Sequence, residues 1–232
     1  MAIRTPLAVG EWYHCFNRGV DKRKVFQNKN DYERFLLLMY IGNGTHPVQT
    51  SHLQSNDFQD TLRDGAVERG EPLVEIGAYS LMPNHSHLIL KEIRENGISR
   101  FMQKIFTGYT MYFNIKNERT GALFAGTYKS VRITDDRYLK QVVPYVHLNP
   151  VELIEPRWKS GAGNIRLIKK WLTQYPYSSL PDFLDDGRIE KKLLGESIFE
   201  LFDSKVSIQK TLKDAQAYYR QSSHIFKGFA EV

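Results

Sequence analysis

The spacing of apolar positions changes several times along the chain, and each change marks an expected element. In "EWYHCFNRGV" (11–20) aromatic and apolar residues crowd a short run that ends at a glycine, the pattern of a strand followed by a turn. Within "NKNDYERFLLLMYIG" (28–42), Tyr32, Phe35, Leu36 and Met39 recur at helical spacing, with Asn30 or Asp31 as the expected cap. Residues 43–70 are polar and scattered with Gly, Thr, Ser and Asp, and read as a variable loop or short helical insertion. "PLVEIGAYSLMPNHSHLILK" (72–91) predicts two strands joined at Met82-Pro83-Asn84.

Ile98, Phe101, Met102, Ile105, Tyr109, Tyr112 and Phe113 line one face of a long helix expected over 96–121, with Gly121 ending it. "ALFAGTYKSVRI" (122–133) is extended. Thr134, Asp135 and Asp136 then offer a cap and an acidic first turn for a helix over 135–148. Pro144 should kink that helix, and Asn149-Pro150 should end it, because a residue before proline is pushed out of the helical region. The tail reads as two or three short helices. This order predicts an α+β fold: an antiparallel sheet with helices packed on it, close to a ferredoxin-like plan, followed by a helical C-terminal extension over 185–232.

Composition narrows the picture. Of 232 residues, 41% are hydrophobic, enough for a substantial core. The net charge of +6 accords with a nucleic-acid partner without requiring one. The single cysteine, Cys15, excludes an internal disulfide framework and a cysteine-type structural zinc site, fits a reducing cytoplasm, and reads as a buried small residue. No apolar run approaches the roughly 18 residues that span a bilayer, and the first residues carry no long hydrophobic signal region. A soluble intracellular protein without a membrane partner is the expectation.

The candidate chemistry begins with "HSH". On a strand, His85 and His87 project side by side while Ser86 points to the opposite face. Such a pair suits two imidazole ligands of one metal ion, or equally two satisfied polar groups on a half-exposed strand. In "PYVHLNP" (144–150), Tyr145 and Asn149 stand four residues apart, one turn along a helix face. They suit a nucleophile beside an oxygen ligand, or else a core aromatic and a helix-end residue. His147, two residues from Tyr145, lies on a different face and reads as structural or as a phosphate contact. Basic and aromatic residues interleave from 94 to 140, including Arg100, Lys104, Tyr109, Tyr112, Lys116, Arg119, Lys129 and Arg132. That mixture suits a single nucleic-acid strand, or a solvated basic face.

"MPNHSHLIL", "GALFAGTYKS", "YVHLNPV" and "YPYSS", in that order, resemble the REP-associated tyrosine transposases. These are insertion-sequence-200-like, HUH-type single-tyrosine enzymes. "YHCFNRGVDKRKVF…DYERFL" resembles their opening strand and first helix, so the resemblance covers roughly residues 8–184, within a transposase domain over 1–184. It implies that His85 and His87 bind a divalent metal, Mg²⁺ or Mn²⁺, that Asn149 is the third ligand, and that Tyr145 is the nucleophile. It also implies a cytoplasmic, nucleoid-associated monomer or homodimer that cleaves and rejoins single-stranded, hairpin-bearing DNA through a 5′-phosphotyrosine. The alternative is a hairpin-binding descendant with little or no catalysis. Arg100, Lys104, Lys116, Arg119, Lys129 and Arg132 are the expected DNA contacts. Ser86 departs from the hydrophobic residue usual between the histidines, and Thr127 stands where an arginine is common, leaving Lys129 to keep the basic function.

Overall fold

Strand β1 (Trp12–Arg18) and the hairpin of β2 (Val74–Met82) and β3 (His85–Glu92) carry the alternating apolar residues, and β4 (Lys129–Ile133) closes the sheet. The computed structural model describes residues 7–48, 58–65, 67–161, 163–184, 187–202 and 208–221. All pairings are antiparallel and the strand order is β2-β3-β1-β4. Helix α1 (Lys29–Gly42) lies between β1 and β2 in the chain, and α3 (Gly97–Lys116) between β3 and β4. Two split β-α-β units interleaved in this order form the ferredoxin-like plan, so the α+β class read from the sequence is borne out. Part of the 43–70 insertion is helix α2 (Phe58–Asp64); residues 49–57 lie outside the described ones.

Alternation divides the strand residues between two cores. Tyr13, Cys15, Leu88 and Leu90 face α1 and α3, where they meet Phe35, Met39, Phe101, Ile105 and Tyr109. Cys15 is fully buried there, as expected. Trp12, Ile89 and Ile133 face the other way, onto α4 (Asp136–Leu148). Burying each large side chain contributes roughly 1.5–3 kcal/mol, so both layers add substantially to stability. The free edge of β2 is covered by "YPYSS": Leu81 N donates to Tyr177 O at 2.9 Å and Ser179 N to Tyr79 O at 3.0 Å. An unpaired edge would invite association with another chain. Beyond α5 (Ile165–Gln174) and α6 (Leu180–Leu184), α7 (Ser197–Glu200) places Ile198 in the α4 core, and α8 (Ile208–Gln221) packs Ile208 and Leu212 against Trp158 and Leu172.

Three boundaries differ from expectation, and a fourth falls where expected with a different local conformation. Asn28, not Asn30 or Asp31, caps α1: its side chain accepts from Asp31 N while the Asp31 carboxylate accepts from Asn28 N, a reciprocal box. Helix α3 ends at Lys116, because the Asn117 amide donates to Phe113 O at 2.8 Å and Glu118 turns left-handed at φ 48°. Gly121 lies beyond that end. Of the extended stretch 122–133 only Lys129–Ile133 is a strand. Helix α4 ends at Leu148, as expected ahead of Asn149-Pro150, but Asn149 keeps helical angles (φ −51°, ψ −42°) and the chain tightens into a 3-10 turn over Asn149–Leu153. The proline nitrogen falls at the start of that turn, where no hydrogen bond is required of it.

Candidate metal and nucleophile site

The β2–β3 turn is held from outside the hairpin. Pro83 O accepts from Val25 N (2.8 Å) and Phe26 N (3.0 Å), and Asn84 O accepts from Gly19 N (2.8 Å). An added side chain at Gly19 would stand 2.4 Å from Arg23 O, so this close approach needs glycine. The grip fixes the start of β3, where the histidines sit.

His85 and His87 share one face of β3, as the alternation requires, with ring centroids 4.9 Å apart at 89°. Both are buried. His85 Nδ1 lies 2.7 Å from Asn84 Oδ1. An amide oxygen only accepts, so His85 carries its proton on Nδ1 and leaves Nε2 with a lone pair. Asn84 Nδ2 in turn points at Lys22 O, 3.5 Å away. His87 Nδ1 lies 2.9 Å from Nε2 of His14, a fully buried residue of β1. Burial pushes the imidazoles of His14 and His85 down to about 3 and that of His87 well below its usual value; the neighbouring charges of Arg18 and Lys159 add to the effect at His85. All three rings are therefore neutral at physiological pH, the form in which imidazole binds a metal. Ser86 is buried on the opposite face, and no described residue partners its hydroxyl.

Tyr145 and Asn149 come from α4 and its extension, on the same side of the sheet as the histidines. Tyr145 is buried among Ile89, Ala78 and Val142. The Asn149 amide nitrogen donates to Val146 O (3.0 Å) and Tyr145 O (3.3 Å), which turns its oxygen away from the helix carbonyls. In a 3-10 turn residues three apart eclipse, so Glu152 shares the face of Asn149. Glu152 holds Lys159 at 2.5 Å, and the Lys159 charge reaches both His85 and His87. Among the described residues no three His, Cys, Asp or Glu side chains gather as a metal-binding group. The expected ligands are thus two imidazoles from β3 and, from the turn that extends α4, the side chain of Asn149. His147 is structural: its Nε2 bonds Ser179 Oγ at 2.8 Å and its ring meets Phe183 edge-on at 4.9 Å.

The six expected DNA contacts are divided by the sheet. Register puts Lys129 opposite Phe16, on the histidine face. Arg132 pairs with Tyr13 on the other face and binds Glu11 at 2.9 Å. Arg100, Lys104, Lys116 and Arg119 belong to α3 and the turn after it, across the sheet from the histidines. Arg100 is exposed. Lys104 donates to Gly44 O at 2.5 Å, Lys116 pairs with buried Asp31 at 2.5 Å, and Arg119 binds Asn114 and Ala122 O. A cleft of about 390 Å³ opens beside the histidine face, lined by Phe16, Arg18, Lys22, Thr127 and Lys129 among others. Arg18 faces His85 across the β1–β3 ladder.

Sequence reasoning passed over His14, Asn84, Arg18 and Lys159. The parity of "WYHCFNR" places His14 with Trp12, Phe16 and Arg18, but parity alone does not say which strand lies alongside.

The motif resemblance is borne out by comparison: residues 51–149 match the model of the family described as "Transposase IS200 like". Among solved structures, that of a REP-associated tyrosine transposase bound to a REP hairpin is similar at 15% identity, covering 82% of this chain and 89% of that chain, with a TM-score of 0.47. No curated protein matches. Among the described residues no helix is long and apolar enough to cross a membrane.

Proposed function

We propose that this chain, IS200-like over residues 51–149, is a metal-dependent DNA strand transferase that cleaves and rejoins single-stranded, hairpin-bearing DNA. One observation carries the reading. His85 and His87 have their Nδ1 atoms engaged by Asn84 and His14, and the helix above that face bears Tyr145 and Asn149. A lone pair is thereby left on Nε2 of His85, His87 can take the same tautomer by donating to His14, and a hydroxyl comes from a second element.

Tyr145 Oη attacks the scissile phosphorus and the bond from phosphorus to the 3′ oxygen breaks. The phenolic proton goes to solvent, and the leaving 3′ oxygen takes one up. The products are a 5′-phosphotyrosine and a free 3′-OH, so the bond energy is kept and reverse attack rejoins strands without ATP. His85, His87 and Asn149 would hold a divalent metal, which would supply polarisation of the phosphate and favour the phenolate of a tyrosine whose ordinary pKa is near 10. The cleft with Arg18, Lys22 and Lys129 receives the strand, its cations meeting phosphates. Tyr109 and Tyr112 are unsuited to the attack. Both belong to α3, and their hydroxyls donate to Val25 O (2.5 Å) and Asp31 (3.0 Å). Burial also raises the Tyr109 phenol far above its usual range.

The test is a labelled single-strand hairpin library with Mn²⁺, resolved on denaturing gels, wild type against Tyr145→Phe. A covalent adduct formed by wild type and lost in the variant is expected. Chelator-insensitive binding without any adduct would establish the non-catalytic hairpin binder instead, and an adduct surviving Tyr145→Phe would assign another tyrosine.

A further inference from the structure

We propose that His14 is a positioning residue that holds His87 in its ligating tautomer. This rests on the reading of His85 and His87 as metal ligands.

The geometry is that of an in-plane imidazole–imidazole hydrogen bond. His14 Nε2 and His87 Nδ1 are 2.9 Å apart, the ring planes differ by 19°, and the centroids are 5.1 Å apart. Face-to-face stacking would bring the centroids closer than that, whereas rings joined edge to edge through two nitrogens must stand about this far apart. One hydrogen is shared between the two atoms, and only two arrangements exist. If His14 donates, His87 Nδ1 accepts and the neutral ring carries its hydrogen on Nε2, which then has no lone pair for a metal. If His87 donates, Nε2 keeps its lone pair. Metal binding therefore selects the second arrangement, with His14 as acceptor.

With His14 as acceptor the arrangement parallels that of Asn84 and His85, where an amide oxygen at 2.7 Å, which can only accept, fixes the same tautomer. The two holders come from different places. Asn84 is the neighbour of its histidine in the chain, whereas His14 stands 73 residues away and arrives through the β1–β3 ladder. His14 is fully buried, so water does not replace it. Its own strand is fixed on both sides, by β3 and by β4, so the acceptor is held rigidly. Outer partners of this kind change metal affinity by about 10- to 100-fold.

Two measurements test the proposal. Long-range proton–nitrogen NMR on histidine-labelled, metal-free wild type should show His87 protonated on Nδ1; protonation on Nε2 overturns the proposal without any variant. Mn²⁺ titration followed by the electron paramagnetic resonance of free Mn²⁺ then compares wild type, His14→Gln, His14→Ala and His87→Ala. His14→Ala should bind about 10- to 100-fold more weakly. His14→Gln, whose side-chain oxygen can accept from Nδ1, should recover most of the loss. Equal affinity in His14→Ala, or no recovery in His14→Gln, overturns the proposal while leaving the ligand assignment standing. Wild-type affinity in His87→Ala overturns the ligand assignment itself and the proposal with it. Should His14→Ala fail to fold, the wild-type tautomer and the His14→Gln affinity decide the question.

Discussion

Acidification should destabilise this protein through its buried imidazoles, and His147 isolates the effect away from the candidate site. Its ring is 1% exposed, Nε2 bonds Ser179 Oγ, and no described residue partners Nδ1. Burial pushes its pKa down to about 3. An unfolded histidine titrates near 6.5. Between these values the unfolded chain takes up a proton that the folded chain refuses, so stability is complete above about 6.5 and falls steadily as pH drops toward 3. Integrated from about pH 7.5 to about pH 5, the loss from His147 alone is about 2 kcal/mol. His14 and His85 have folded values of about 3 and add losses of the same sign. Urea denaturation of wild type and His147→Gln at the two pH values measures the His147 part. Whatever its absolute stability, the variant should show a pH-dependent loss smaller by about 2 kcal/mol. An identical loss in both proteins would refute the reasoning, as would a His147 resonance titrating near 6.5 in the folded state.

Three further outcomes follow from single contacts. Ser86→Ala removes a buried hydroxyl without a described partner and should raise stability by about 1 kcal/mol in denaturant melts, with Mn²⁺ affinity unchanged because the side chain faces away from the histidines. Asp31→Ala breaks the α1 capping box and strips Lys116 and Tyr112 of their partner; a loss of about 3–5 kcal/mol is expected by the same melts. Lys129→Ala should weaken hairpin binding and reduce the slope of log affinity against log salt by about 1, whereas Lys116→Ala, on the far side of the sheet, should leave that slope alone.

The local features were legible from the residues. Alternation in "HSHLIL" placed both histidines on one face and Ser86 on the other, and the four-residue spacing put Tyr145 and Asn149 on one helix. The element order yielded the α+β plan. Boundaries failed where a side chain outweighed the general rule: the Asn28–Asp31 box moved the start of α1, and Asn117 stopped α3 ahead of Gly121. The basic residues between 94 and 140 look like one surface along the chain, yet the sheet sends Lys129 to one side and α3 to the other.

Period and spacing are properties of neighbours in the chain, and the sequence alone determined what they control: which residues form a strand, and which of them face together. Strand order is decided by hydrogen bonds between segments far apart in sequence. It was the tertiary structure that set β1 between β3 and β4 and so brought His14 to His87 and Arg18 opposite His85. Burial, which keeps those imidazoles neutral, exists only once both layers of helices close over the sheet.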